Sequence, residues 1–342
     1  MSRTGLVAGL GLLTVVGLTA LHTFIGTQPI GVGDVLSALL GSPEQEQHRT
    51  IVVNLRLPRA LIAVAAGACM ATAGALLQIV TRNPLADPAL LGITGGGVLV
   101  ALSVLTAAPG LASSLWLPLI VLVGCASTGG LVLLLARSRA GLDPWLLILT
   151  GVVTGGIATS LSSVLLITSG EALGGLLPWM IGSLNGRVWD HWHMVWPWAV
   201  AGLVVAMSTG RLANLLQLGN DSIIGAGVPI PRAPVALFAL AALLAATGVA
   251  AAGAVGFIGL MAPHLARLLV GDDARRVLPI AAIAGSVLLV GADVIAQGVT
   301  IKPPFDAEAQ RVGLPVGAVT ALLGAPLTVA LIRRSSRMRG SN

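Results

Sequence analysis

Very little of this 342-residue sequence is charged. Asp, Glu, Lys and Arg make up 9% of it, where about 25% is usual for a soluble domain, and so few charges cannot keep a surface of this size in water. Hydrophobic residues supply 56%, glycine adds 44 residues, and mean hydropathy is +0.95. An ordinary soluble domain is excluded, and the solvent for most of the chain is lipid. Cysteine is nearly absent: Cys69 and Cys125 each sit inside an apolar run without CxxC spacing, so neither a disulfide framework nor a zinc site is indicated and both read as buried free thiols. Lysine occurs once, at Lys302 between Ile301 and Pro303. That leaves no GxxxxGK[ST] phosphate loop, so the chain is not its own ATP-driven motor. HExxH is missing, and of His22, His48, His191, His193 and His264 only the i, i+2 pair His191/His193 is close in sequence, in what reads as a wet outer loop. No metal site is expected. A net charge of +6 and a pI near 11.1 would suit nucleic acid, but the basic residues are scattered between apolar runs rather than clustered with aromatics, which argues against it.

About 20 apolar residues at a rise of 1.5 Å cross a hydrocarbon core of roughly 30 Å. Stretches free of charge predict ten helices, near 5–25, 58–80, 89–107, 116–136, 145–168, 194–210, 235–252, 255–270, 279–299 and 314–332. Two long stretches are divided, one at Pro109-Gly110 and one at Ala252 to Gly256. The first reads as an uncleaved helix rather than a signal peptide, since its apolar run is long and no clear A-x-A site follows. With the N-terminus inside, thirteen basic residues fall on the cytoplasmic side and six outside, which puts both termini in the cytoplasm. Trp179, Trp189, Trp192, Trp196 and Trp198 bracket the outer start of the sixth span as an interfacial belt would. Leu57-Pro58-Arg59-Ala60 opens the second span from outside and Ile230-Pro231-Arg232-Ala233 opens the seventh from inside, a hint of inverted halves.

Ionisable groups inside a bilayer are the default functional candidates, and only Asp293 lies deep in a span. It is either a proton carrier or a structural hydrogen-bond partner. Three classes fit a polytopic chain of this kind. An ion-coupled secondary transporter would show several intramembrane charges, and a membrane-embedded transferase would need acidic pairs to hold metal and phosphate. Asp272-Asp273 is the one adjacent acidic pair. The third class is a permease driven by a separate motor.

Several motifs decide among these. Leu55-Arg56-Leu57-Pro58-Arg59, Gly74-Ala75-Leu76-Leu77-Gln78 and Asn83-Pro84-Leu85-Ala86-Asp87-Pro88 are followed by Gly182-Ser183-Leu184, Val255-Gly256-Phe257-Ile258-Gly259-Leu260 and Pro263-His264-Leu265-Ala266-Arg267. Leu314-Pro315-Val316-Gly317 and Leu323-Gly324-Ala325-Pro326 complete the series. In order and spacing these resemble the FecCD-type permeases of ABC importers for ferric siderophores, haem and vitamin B12, over nearly the whole chain after the first span.

The resemblance implies an all-α polytopic permease of ten helices like the vitamin B12 permease, in the cytoplasmic membrane. It implies partnership with a second permease subunit, two ATPase subunits and an extracytoplasmic substrate-binding protein. The chain itself is then no enzyme and binds no cofactor, ATP and Mg lying on the partner ATPase. The 211–232 segment matches the cytoplasmic coupling loop, with Leu216, Leu218, Gly219, Asn220, Asp221 and Gly227 facing the ATPase. Arg56, Arg59 and Arg311 match positions that dock the binding protein, although arginines there would also serve as positive caps at a membrane interface. Asn83 and Leu85 match the cytoplasmic gate, with Leu142 and Asp143 in its companion loop. Two positions depart from the pattern: Gly313 stands where an acid often precedes Leu-Pro-Val-Gly, and Gln297 where an arginine often follows Asp293 by four residues. Asp293 is therefore expected to lack an ion-pair partner.

Overall fold

A computed structural model of the chain describes residues 3–26, 28, 30–41, 46–111, 116–138, 141–169, 177–218, 232–301 and 312–326. The helices are α1 (Arg3–Phe24), α2 (Val32–Leu39), α3 (Glu46–Arg49), α4 (Leu57–Thr81), α5 (Ile93–Ala107), α6 (Leu117–Leu135) and α7 (Pro144–Ser169). They continue with α8 (Leu177–Met180), α9 (Trp189–Ser208), α10 (Gly210–Leu218), α11 (Arg232–Ala252), α12 (Ile258–Val270), α13 (Ala274–Gly298) and α14 (Val316–Pro326). Extended pairing among the described residues is limited to two antiparallel two-residue ladders. One pairs β1 (Arg137–Ser138) with β2 (Gly141–Leu142), and the other pairs β3 (Thr300–Ile301) with β4 (Val312–Gly313).

Among the described residues, six helical segments are long and apolar enough to cross a membrane, or seven if α9 and α10, bent by 52° at Thr209, form one span. Three shorter apolar helices, α5, α12 and α14, lie on other stretches read as spans. Helix is the expected answer to such sequences, because lipid offers no partner for a backbone N–H or C=O.

The core is built around α4. Its neighbours are α13, α11, α12, α9 and α1, while α5 packs between α6 and α7 to one side. Nearly every residue from Ala60 to Thr81 is buried, although α4 is mostly alanine, glycine and other small residues. That composition is what permits its position, since helices in lipid associate through close packing rather than through a hydrophobic driving force. At two crossings only glycine fits: a Cβ on Gly67 would collide with the Gly285 carbonyl of α13, and one on Gly74 with the Gly259 carbonyl of α12. α11, which follows the second Pro-Arg-Ala motif, is the other deeply buried helix and packs on α4. By contrast α1 and α7 leave most of their apolar surface uncovered.

Candidate functional site

Many of the candidate side chains gather at the two ends of α4. At the Arg59 end, the chain enters α4 through a π-helical stretch, Thr50–Arg56, in which the Leu57 amide donates to the Val52 carbonyl five residues back. Pro58 comes next and has no N–H to continue this pattern to Val53. The Val53 carbonyl is instead taken by the Trp189 indole N–H at 2.9 Å, which fastens α9 to this turn.

Arg59, one turn into α4, meets Asp293 of α13 in a bidentate pair: Nε to Oδ2 and Nη2 to Oδ1, both 2.7 Å. Nη1 donates to Asn185 Oδ1 at 2.7 Å. The expectation that Asp293 lacks a cationic partner is therefore corrected. Its arginine comes from a position 234 residues away in sequence rather than from position 297. Asp293 is fully buried, and His22 Nε2 of α1 lies 2.7 Å from Oδ2. Gln297 fills the place of the expected arginine with its Nε2 2.7 Å from His22 Nε2. The His22 Nδ1 atom is buried without a partner among the described residues. One acid thus ties α1, α4 and α13 together.

Arg56 departs from its expected exposure. Only 5% of it is exposed, and its guanidinium donates to the carbonyls of Thr23 (2.9 Å), Phe24 (3.2 Å) and Gln28 (2.5 Å). It serves the open C-terminus of α1, whose last carbonyls have no helical donor. A third arginine that the sequence reading left aside, Arg187, is also buried. Nη2 makes one long bond to the Ala250 carbonyl at 3.5 Å, and Nε has no partner among the described residues. Burial lowers its pKa to about 10, so it stays charged at neutral pH. Gln28, Arg56, Arg59, Gly186, Arg187 and Gln297 line one cleft. Arg311 lies outside the described residues. Trp179 does not join an interfacial belt, being 7% exposed.

At the opposite end, four of the separated motifs converge. Gln78 donates to the Gly259 carbonyl at 3.2 Å and accepts from Arg267 Nη1 at 2.5 Å. Asp87 is buried beside Gly259, accepts the Ala89 amide at 2.8 Å through Oδ1, and leaves Oδ2 without a partner among the described residues. Burial pushes its carboxyl up to about 6 against the opposing effect of that amide. Towards the Arg59 end, the Leu-Pro-Val-Gly segment and Gly182-Ser183-Leu184 meet, the Gly317 amide donating to the Gly182 carbonyl at 2.9 Å.

Of the residues read as a gate, Asn83 lines a cleft between the two segments, and Leu85, Leu142 and Asp143 do not. Thr81, Arg82, Asn83 and Pro84 share a cleft of about 470 Å³ with Pro144, Trp145 and Ile148. Asn83 Oδ1 accepts the Leu85 amide at 2.9 Å, making a rigid Asx turn that leaves Leu85 exposed. Asp143 Oδ1 accepts the amides of Trp145 at 2.9 Å and Leu146 at 3.4 Å, capping α7. The backbone of Leu142 pairs with Arg137.

α10 is held against this region. Arg82 Nη2 donates to the Leu216 carbonyl at 3.3 Å, and Asn214 bonds both Asp273 Oδ1 and the Ala274 amide, each at 2.7 Å. The Asp273 carboxyl is held down at about 2 by its bonds from Arg275 and Asn214. Leu216, expected on a surface knob, is buried in the core instead, because α10 is a helix packed on α13 and α4. Leu218 ends that helix, and Gly219, Asn220, Asp221 and Gly227 lie outside the described residues.

The sequence profile of the FecCD transport family matches residues 12–334. The Fe(3+)-citrate import system permease protein YfmD of Bacillus subtilis is 32% identical over 93% of this chain and 92% of its own length. The cobalamin import system permease protein BtuC of Halobacterium salinarum is 34% identical over 86% of this chain and 75% of its own. Among solved structures, an inward-facing metal-chelate type ABC transporter matches with a TM-score of 0.79 at 26% identity, covering 96% of this chain and 98% of that one.

Proposed function

The chain belongs to the FecCD transport family, and for this multi-pass permease subunit of an ABC importer we propose that the cargo is an iron chelate of the siderophore or ferric citrate kind. The observation that carries this reading is the cleft at the Arg59 end. It collects three arginines, and among the described residues only Asp293 pairs with any of them. A cationic mouth favours an anionic chelate and an acidic carrier, since such fields set orientation and encounter rate. Reconstituted with its ATPase and binding protein in proteoliposomes, the transporter should accumulate iron-55 supplied as ferric citrate or a ferric siderophore. Accumulation of cobalamin with no uptake of either iron chelate would overturn the assignment.

Around that pathway the proposed assembly has two permease subunits, two ATPase subunits carrying ATP and Mg, and an extracytoplasmic substrate-binding protein. Uncovered apolar residues along α7, among them Leu149, Val153, Ile157 and Leu161, support a second permease or lipid on that side. Both termini lie in the cytoplasm in this proposal, and ten spans cross the membrane. Arg59 and Arg311 engage the binding protein, Arg59 through the edge that bonds Asn185. Asn83 and Leu85 form the cytoplasmic gate with Leu142 and Asp143. The 211–232 loop couples to the ATPase through Leu218, Gly219, Asn220, Asp221 and Gly227. Gly219→Trp should insert normally yet uncouple hydrolysis from uptake; wild-type uptake with unchanged ATPase stimulation would remove this loop from the coupling site.

A further inference from the structure

An apolar groove runs between α1, α12 and α13, walled by Val7, Leu10, Thr14, Leu268, Ile283 and Leu288 with Gly11 at its floor, and holds about 470 Å³. Its two long walls are parallel and in register. Gly11 touches Ile283, Gly291 lies opposite Leu18, and His22 reaches Asp293, so the offset between α1 and α13 stays near 272. Extending that register by two turns puts Arg3 level with Arg275 and Arg276.

The helical faces agree with this placement. Arg3 lies one turn before Val7, and Arg276 one turn before Ile280, on the same stripes that line the groove. Arg275 occupies the other side of α13, where it packs on Gly210 and bonds Asp273. Asp272 and Asp273 are the acids of this rim. Asp273 is occupied by Asn214 and Arg275, with Arg276 at 3.8 Å. Three arginines against two aspartates leave the rim positive, and Arg3 and Arg276 are exposed. From Arg3 to Val7 is about 6 Å along the helix, and from Val7 to Thr14 about 10 Å more. That is the geometry of a headgroup level above an acyl level.

We propose that this groove is a binding site for one anionic phospholipid, its acyl chain between α1, α12 and α13 and its phosphate between Arg3 and Arg276. Apolar surface in lipid needs no special ligand; the paired arginines at the mouth of the groove make the site selective for an anionic headgroup. A basic recess between helices at the headgroup level is suited to that role. The proposal needs only that the chain is membrane-embedded and is independent of the cargo.

The test uses the full transporter purified in detergent and titrated with dioleoyl phosphatidylglycerol or dioleoyl phosphatidylcholine, with bound lipid counted by native mass spectrometry. One phosphatidylglycerol per permease should be retained at least fivefold more tightly than phosphatidylcholine. Arg3→Gln with Arg276→Gln should abolish that preference without changing retention of phosphatidylcholine, and Leu268→Trp should reduce retention of both. Inorganic phosphate at millimolar concentration should not compete, because it has no chain. Equal retention of the two lipids by the wild type would overturn the proposal. So would an undiminished preference in the double arginine variant, or loss of the ATPase subunit rather than of lipid from it. If that variant fails to fold, the wild type alone decides: the preference should fall at 0.5 M salt, and persistence there would refute a site built on these charges.

Discussion

Replacing Arg59 with methionine isolates the pair on which the Asp293 cluster depends. The change keeps an unbranched side chain in α4 but removes both 2.7 Å bonds to Asp293 and the bond to Asn185. Asp293 is fully buried and Arg59 is 14% exposed, so solvent screens the pair little, and among the described residues the carboxylate left behind retains only His22 and Gln297. Removing one partner of a buried pair costs about 3–5 kcal/mol. Asp293→Asn should cost less, about 1–3 kcal/mol, because the amide still accepts from Arg59 while the guanidinium keeps Asn185 and the edge of the cleft. In the double variant Arg59→Met with Asp293→Asn, neither charge remains, and the total should fall short of the sum by about 2 kcal/mol. Equilibrium unfolding in mixed micelles with increasing dodecyl sulfate, followed by tryptophan fluorescence, measures all three. Arg59→Met within about 0.5 kcal/mol of wild type, or strict additivity in the double variant, would refute the account of Asp293 as a structural knot.

Other outcomes follow from the same geometry. Arg56→Gln strips donors from the Thr23, Phe24 and Gln28 carbonyls and should cost about 2–4 kcal/mol, while affinity for the binding protein per folded molecule stays within twofold; a tenfold loss of affinity at unchanged stability would restore Arg56 to a docking role. Asp87 holds its proton in the folded state up to about pH 6 but releases it near 4 when unfolded. Stability should therefore fall as pH rises through that window, by about 3 kcal/mol in all. Asp87→Asn, which keeps the turn to Ala89, should be more stable than wild type at pH 7.5 and equal to it at pH 4, and a pH-independent difference between the two would contradict this. Gly74→Leu drives a side chain into the Gly259 carbonyl and should cost about 3 kcal/mol, whereas Gly17→Ala, with open space around it, should leave thermal stability unchanged.

Helix was legible throughout because it answers a local demand. In lipid each backbone group must bond within its own segment, so an uncharged run of sufficient length specifies a helix whatever packs beside it, and helices lie on all ten stretches. The family was legible for a related reason: its motifs are short strings at turns and crossings, and they survive as strings. Asp293 stood out as the lone acid deep in a span because burying a charge is costly anywhere in the chain.

Partners were not legible, since pairing is a property of space. The family pattern places an arginine four residues after Asp293, where this chain has Gln297, while the arginine that pairs with Asp293 arrives from α4. His22 carried no signal in sequence beyond being a histidine. Arg56 and Arg59 looked alike as neighbours of Pro58, yet one is turned onto the end of α1 and the other onto Asp293 and Asn185. The π-helical turn joins the two, and its orphaned Val53 carbonyl is answered by a tryptophan 136 residues away. Tertiary structure alone settled those choices, because the free energy of a buried charge or an open carbonyl depends on which donor is near, and the chain brings that donor from elsewhere.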